Sequence, residues 1–268
     1  MTGVYDSGIG GLSVWKELRA LMPERDYVYI ADSAHCPYGD KSPDYIISRA
    51  DAVVRFLISK GAEAVVVACN TATAAAISYL RGHFPIPFVG MEPAVKPAAL
   101  ASRTGVVGVL ATANTFRGRL YRDTVLKYAS GIRIIEKVGW GLVEAVERGE
   151  IPSDLIERYV SEMTGEGADV IVLGCTHFPF LQQEIASAAG PSVRIINPAP
   201  AVARQTRLVL DTLARSRDGV QSSCVPAEKR ISPLREFYST GDTAVLQRTV
   251  ETIDPSVPPE GFHHIIIQ

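Results

Sequence analysis

GAEAVVVACNT (61–71) and GADVIVLGCTH (167–177) align without a gap, 106 residues apart. Each opens on glycine, continues through apolar and β-branched residues, and ends in a cysteine followed by polar residues. Because the apolar runs are continuous rather than alternating, they predict strands buried on both faces, as in a parallel sheet covered by helices. Two more pairs follow: GVYDS (3–7) matches GVLAT (108–112), and MEPA (91–94) matches INPA (196–199), both 105 residues apart. One match between apolar strands carries little weight. Three in the same order predict a duplicated α/β unit.

Working outward, further apolar runs stand at VYIAD (28–32), IPFVG (86–90), GVVGVL (105–110) and VRIIN (193–197). Between them lie amphipathic helices. The clearest opens on Ser42-Pro43-Asp44, a cap, a first-turn proline and an early acid, and its Ile46, Ala50, Val53 and Leu57 keep one face. Strand–helix alternation of this kind predicts the α/β class. The expected architecture is two pseudosymmetric lobes, each a mostly parallel sheet flanked by helices, with the active site in the cleft between them. The expected division is 1–94 plus 205–268 for the first lobe and 95–204 for the second, so that YSTGD (238–242) and FHHIII (262–267) complete the first. Residues 215–235 read as a polar surface loop.

Composition narrows the function. Of 268 residues, 47% are hydrophobic and 21% charged, which excludes a disordered or fibrous chain. Lysine and arginine number 27 against 29 acidic residues, with no long block of like charge, so neither nucleic acid nor a membrane surface has an electrostatic motive to bind. The opening MTGVYDSGIGG lacks a basic and apolar leader, and no apolar stretch approaches the roughly 18 residues of a membrane span. A cytoplasmic protein is expected. Its four cysteines, Cys36, Cys69, Cys175 and Cys224, are far apart and read as free thiols.

In the repeat, Cys69 and Cys175 are equivalent and stand at the C-terminal ends of buried strands, the edge where open α/β sheets bind ligands. Either one alone could be a small buried core residue. Two at equivalent positions, both followed by polar residues, point to chemistry. One thiolate can remove a proton from a carbon while the other thiol supplies one to the opposite face, which is the work of a racemase or epimerase. A reference pKa of about 8.5 suits a group that must act in both protonation states. DSGIGG (6–11) resembles a dinucleotide-binding turn with Asp32 ending the next strand, but Ser13 stands where the third glycine belongs and Asp6 would repel a pyrophosphate. Asp6 is then either an ordinary helix-entry acid or a partner of Cys69. Cys175 and His177 invite comparison with a metal site, yet only His35 and Cys36 offer a second cluster, and no metal is expected. A cysteine hydrolase built on Cys175 would leave Cys69 unexplained. PYGDKS (37–42) and ATANT (111–115) are turns and caps that could hold the carboxylates of a small acid.

GVYDSGIGGLSV (3–14), YIADSAHCPYG (29–39), VVACNTA (66–72), GVLATANT (108–115), LGCTHFPFL (173–181) and YSTGD (238–242) together resemble the glutamate racemases over almost the whole chain. The resemblance implies a cofactor-independent interconversion of L- and D-glutamate that supplies D-glutamate for peptidoglycan, without pyridoxal phosphate or metal. It implies Cys69 and Cys175 as proton donors and acceptors, Asp6 supporting Cys69 and His177 supporting Cys175. Glu147 matches the family's acid near the second thiol, with Glu144 close enough to be confused with it. Asp6, Ser7, Pro37, Tyr38, Gly39, Asn70, Thr71, Thr112, Thr115, Thr176 and His177 would bind glutamate, partly through backbone N–H groups. A homodimer is expected. Asn197 stands where the family commonly has Asp. Two alternatives share the architecture: a racemase of a related amino acid such as aspartate, and a bilobed amino-acid-binding protein without chemistry. A dinucleotide-dependent oxidoreductase would instead need the first turn to take a pyrophosphate.

Overall fold

The computed structural model describes residues 1–218 and 233–267. Among these, ten strands form two sheets in which every paired neighbour is parallel. The strands are β1 (Thr2–Asp6), β2 (Tyr27–Ala31), β3 (Ala64–Val67), β4 (Phe88–Gly90), β5 (Val106–Ala111), β6 (Arg133–Val138), β7 (Val170–Gly174), β8 (Arg194–Ile196), β9 (Arg235–Ser239) and β10 (Phe262–His264). The first sheet runs β10-β9-β2-β1-β3-β4 and the second β6-β5-β7-β8. Helices connect the parallel strands, as crossover geometry requires.

The duplication reaches the register. Val4 pairs with Val66 across β1 and β3, and Val109 pairs with Val172 across β5 and β7. These pairs are related by the same 105- and 106-residue offsets that the sequence shows. The strand order β2-β1-β3-β4 likewise repeats as β6-β5-β7-β8. The third sequence match does not fit this frame. Val66 pairs with Val89 and Val172 with Ile196, which makes Val89 the equivalent of Ile196, whereas matching MEPA to INPA would make Met91 so. The discrepancy is two residues, a slip that preserves which face each side chain occupies.

Two other expectations are corrected. The helix Ala199–Asp218 continues through residues 215–218, and β9 begins at Arg235, so neither end of the 215–235 stretch is loop; residues 219–232, with Cys224, lie outside the described residues. The strand β6 was not foreseen. It is an edge strand with Arg133 and Glu136 exposed, so it lacks the continuous apolar run that marks its neighbours.

Helix α1 (Leu12–Leu21) buries Leu12, Val14, Trp15 and Leu18, and Trp15 meets Phe237 of β9 edge-on with centroids 4.9 Å apart. Helix α2 (Pro43–Ser59) buries Ile46, Ala50, Val53 and Leu57, and its first turn is capped by Ser42, whose Oγ accepts from the Tyr45 N–H at 3.2 Å. One apolar cluster joins Val4, Trp15 and Phe237 to Leu110, Leu173 and Phe178, so the core runs from one sheet to the other. No described helix is long and apolar enough to cross a membrane.

Candidate active site

Both cysteines leave their strands at the C-terminal edge, but the chain then behaves differently. Cys69 becomes the N-cap of helix α3 (Asn70–His83), its sulfur accepting from the Ala72 N–H at 3.4 Å while its thiol donates to Ser7 Oγ at 3.7 Å. Cys175 directly follows β7, and its sulfur lies 3.7 Å from His177 Nδ1. Both thiols are buried and free of disulfides.

Asp6, at the end of β1, reaches Cys69 on one side and Thr176, the neighbour of Cys175, on the other. Its Oδ2 accepts from the Gly11 and Gly8 N–H groups at 2.8 and 3.3 Å, and its Oδ1 from the Thr176 hydroxyl at 3.4 Å. Burial pushes the Asp6 carboxyl above its ordinary range, opposed by His177 and the Gly11 N–H. Burial also pushes the Cys69 thiol well up, and the neighbouring Asp6 raises it further against the pull of Ala72 and Ser7. Asp6 is therefore a partner of Cys69 as well as an acid satisfying a turn.

On the other side, His177 Nε2 meets Glu147 Oε1 at 2.5 Å. Burial favours the neutral ring, but hydrogen bonds to Cys175, Cys36 and Glu147 outweigh it and hold the imidazole well above its usual pKa. Of the two candidate acids it is Glu147, at the end of the Leu142–Glu147 helix, that reaches the histidine. Glu144 instead lines a depression with Pro37, Gly39, Thr112 and Trp140.

The glycines of DSGIGG have a reason other than phosphate binding. A Cβ on Gly8 would overlap the Glu147 carboxylate, and one on Gly10 would overlap the His177 ring. A Cβ on Gly11 would stand 2.7 Å from Asp6 Cβ. The turn is stripped of side chains so that the second lobe's acid and imidazole can reach it, and the Ile9 N–H donates to the same Glu147 oxygen at 2.8 Å. Ser13, in the place of a third glycine, donates to the Thr176 carbonyl at 2.9 Å. Asp32 offers nothing to a ribose. Its carboxylate is taken up by Arg49 (2.8 and 3.0 Å), the Tyr38 hydroxyl (2.5 Å) and the Thr240 hydroxyl of YSTGD (2.9 Å).

The remaining sequence-derived residues surround the thiols unequally. Thr71, Thr112 and Thr115 form a hydroxyl chain across the lobes, with steps of 2.8 and 2.9 Å. Asn70 is buried, and both ends of its amide lack a protein partner among the described residues, which leaves a donor and an acceptor for a polar ligand. Pro37 and Gly39 belong to the turn carrying Tyr38, and Gly39 backs onto Thr112. The Tyr38 side chain points away, its hydroxyl bound to Asp32 and Tyr5, and its carbonyl is taken by Asn114, so its backbone N–H is what remains for a ligand. Asn197 caps the Ala199–Asp218 helix by accepting from the Ala199 N–H at 2.9 Å, a role an Asp would fill equally.

Three features escaped the sequence reading. Asn114 anchors the 38–41 turn by donating to the Tyr38 and Lys41 carbonyls at 3.0 and 2.9 Å. Arg49 is buried on the same face of α2 as Ile46 and Val53, and a charge amid apolar positions was the available signal. Cys36 reaches His177, while its neighbour His35 turns outward to Tyr45.

Comparisons with known proteins give the family. A family model of Asp/Glu/hydantoin racemases matches residues 13–206. The glutamate racemase of Methylococcus capsulatus is 46% identical over 97% of this chain and 96% of its own length, and that of Herpetosiphon aurantiacus 47% over 78% and 84%. Among solved structures, glutamate racemase isoform RacE1 from Bacillus anthracis superposes with a TM-score of 0.82 at 26% identity, covering 100% of this chain and 97% of that one. The Escherichia coli glutamate racemase, solved with L-glutamate and an activator, gives 0.81 at 30% identity over 98% and 96%. With its twin thiols, its glycine-stripped turn and these relatives, the chain belongs to the Asp/Glu/hydantoin racemase family, on the glutamate racemase branch.

Proposed function

We propose that this chain interconverts L- and D-glutamate by moving a proton at Cα between two thiols, supplying D-glutamate for peptidoglycan. The observation that carries the reading is the pair of buried thiols at equivalent strand ends, each with its own polar partners. A thiolate on one face removes the Cα proton, and the thiol on the other returns a proton to the opposite face, inverting the centre. By family resemblance Cys69 acts on D-glutamate and Cys175 on L-glutamate. Asp6 assists Cys69, while His177, held by Glu147, assists Cys175. The unpartnered Asn70 amide, the Thr71–Thr112–Thr115 hydroxyls, Ser7, Thr176 and the backbone of Pro37, Tyr38 and Gly39 hold the substrate's ammonium and carboxylates.

The reading takes residues 1–94 with 205–268 as one lobe and 95–204 as the other, in a homodimer working in the cytoplasm, where thiols stay reduced. It is tested by incubating the protein with L-glutamate, L-aspartate or L-glutamine in heavy water, followed by chiral analysis. D-glutamate carrying deuterium at Cα is expected without added cofactor. Conversion of aspartate in preference to glutamate would reassign the substrate, and no exchange with any of the three would leave a binding protein.

A further inference from the structure

The two-thiol reaction assigns no proton to Cys36, yet its thiol stands against His177, the proposed partner of Cys175. Its sulfur, a Glu147 carboxylate oxygen and a His177 ring nitrogen all lie within 4.8 Å of one another. We propose that these three side chains form a binding site for a thiophilic divalent cation, Zn2+, and that its occupation switches the enzyme off.

The donor set is one sulfur, one nitrogen and one carboxylate oxygen, the combination a borderline-soft ion takes at roughly 2.0–2.3 Å. Three protein ligands leave a fourth tetrahedral position for water. The carboxylate is already oriented, because the Ile9 N–H donates to Glu147 Oε1 at 2.8 Å. A path exists as well: the Glu147 side chain retains 20% exposure and Cys36 is only half-buried. On binding, the thiol proton of Cys36 and the imidazolium proton of His177 leave to solvent, and the metal takes the place of the hydrogen bond between His177 and Glu147. Cys175 then faces a neutral, metal-bound ring that keeps its Nδ1–H but has lost the imidazolium's charge and second proton. Cys36 thus gives the second thiol's support a competing use.

The inhibition rests on the racemase reading; the binding does not. Reduced protein is titrated with Zn2+ while racemisation is followed, and separately with Co2+ while thiolate-to-cobalt charge-transfer absorption is followed. Zinc is expected to inhibit and a chelator to restore activity. Cys36→Ala should raise the zinc concentration for half-inhibition by at least about a hundredfold, beyond the roughly 10–100-fold typical of losing an outer-shell partner. The cobalt band should saturate at one ion per chain, disappear in Cys36→Ala, and persist in Cys69→Ser. The near-isosteric Cys36→Ser should behave as Cys36→Ala does, which covers a folding defect in the smaller variant. A band that survives in both Cys36 variants would place the metal on Cys175 and overturn the proposal, as would the absence of any band. A band lost with Cys36 in a protein that racemises nothing would keep the site and discard the racemase.

Discussion

The surroundings of Cys69 and Cys175 differ more than the strands that deliver them. The first thiol sits on a helix N-terminus beside a hydroxyl and a buried carboxylate; the second sits beside an imidazole backed by a carboxylate. Burial and Asp6 favour the neutral thiol at Cys69. At Cys175 the partner is a histidine whose pKa its neighbours raise well above the usual value. Duplication therefore conserved where the sulfur stands and not what supports it. On the proposed mechanism, two unlike acid–base sets would run a symmetric reaction.

The largest expected effect tests the common part of that comparison. Cys69→Ala or Cys175→Ala should each reduce racemisation by more than about 10⁴-fold, since one face loses its only acid or base. Measurable turnover in either variant would show that the thiols are not a pair.

The unlike parts should break unequally. Asp6→Asn and His177→Asn are each expected to cost within about 10²–10⁴-fold, the usual worth of general acid–base assistance. The equilibrium constant near one forces kcat/KM to fall together in both directions, so the asymmetry lies elsewhere. Primary isotope effects with Cα-deuterated D- and L-glutamate should change mainly for the D isomer in Asp6→Asn and mainly for the L isomer in His177→Asn. Equal changes for both isomers in both variants would remove the division of labour.

Gly8→Ala probes the contact between the halves. The added methyl must displace Glu147, at an expected cost of about 1–3 kcal/mol of overpacking, readable as a lower urea midpoint. Adding Glu147→Ala should recover part of that stability but not the activity. If stability does not recover, the methyl is straining the turn itself.

The smallest effect is in pH. The folded pKa of His177 is raised, so its protonated form contributes stability in full below the unfolded value of about 6.5, and that contribution is lost as pH climbs through the higher folded value. The urea midpoints of wild type and His177→Asn should therefore differ by a constant amount in acid and converge on the alkaline side. A gap independent of pH would mean that the imidazole is neutral in the folded state.

Much of the fold could be read from residues because buried parallel strands are written as uninterrupted apolar runs. AVVV and VIVLG announce themselves; RIIEKV at an edge does not, since half of it faces water. The short fourth strand misled the repeat, because three residues of β4 carry too little pattern to fix a register. In the site, the thiol pair was legible through duplication, whereas Cys36 has no counterpart and stood in a loop. The glycines of 8–11 were visible as a motif but not as a clearance, because Gly8 and Gly10 make room for Glu147 and His177, which are remote along the chain. Nor could sequence show that the Tyr38 ring would turn inward to a buried Asp32–Arg49 pair.

The bonds from Ile9 to Glu147 and from Ser13 to Thr176 stitch the first lobe's turn to the second lobe's acid–base set. Any movement that parts the turn from Glu147 and Thr176 breaks these stitches. The same movement takes away the carboxylate oxygen's second hydrogen-bond donor and shifts His177 from the glycine turn it rests on. The bonds that join the two sheets and the bonds that hold Glu147 against His177 thus share one turn, so displacing that turn and unsettling the histidine's carboxylate are a single event.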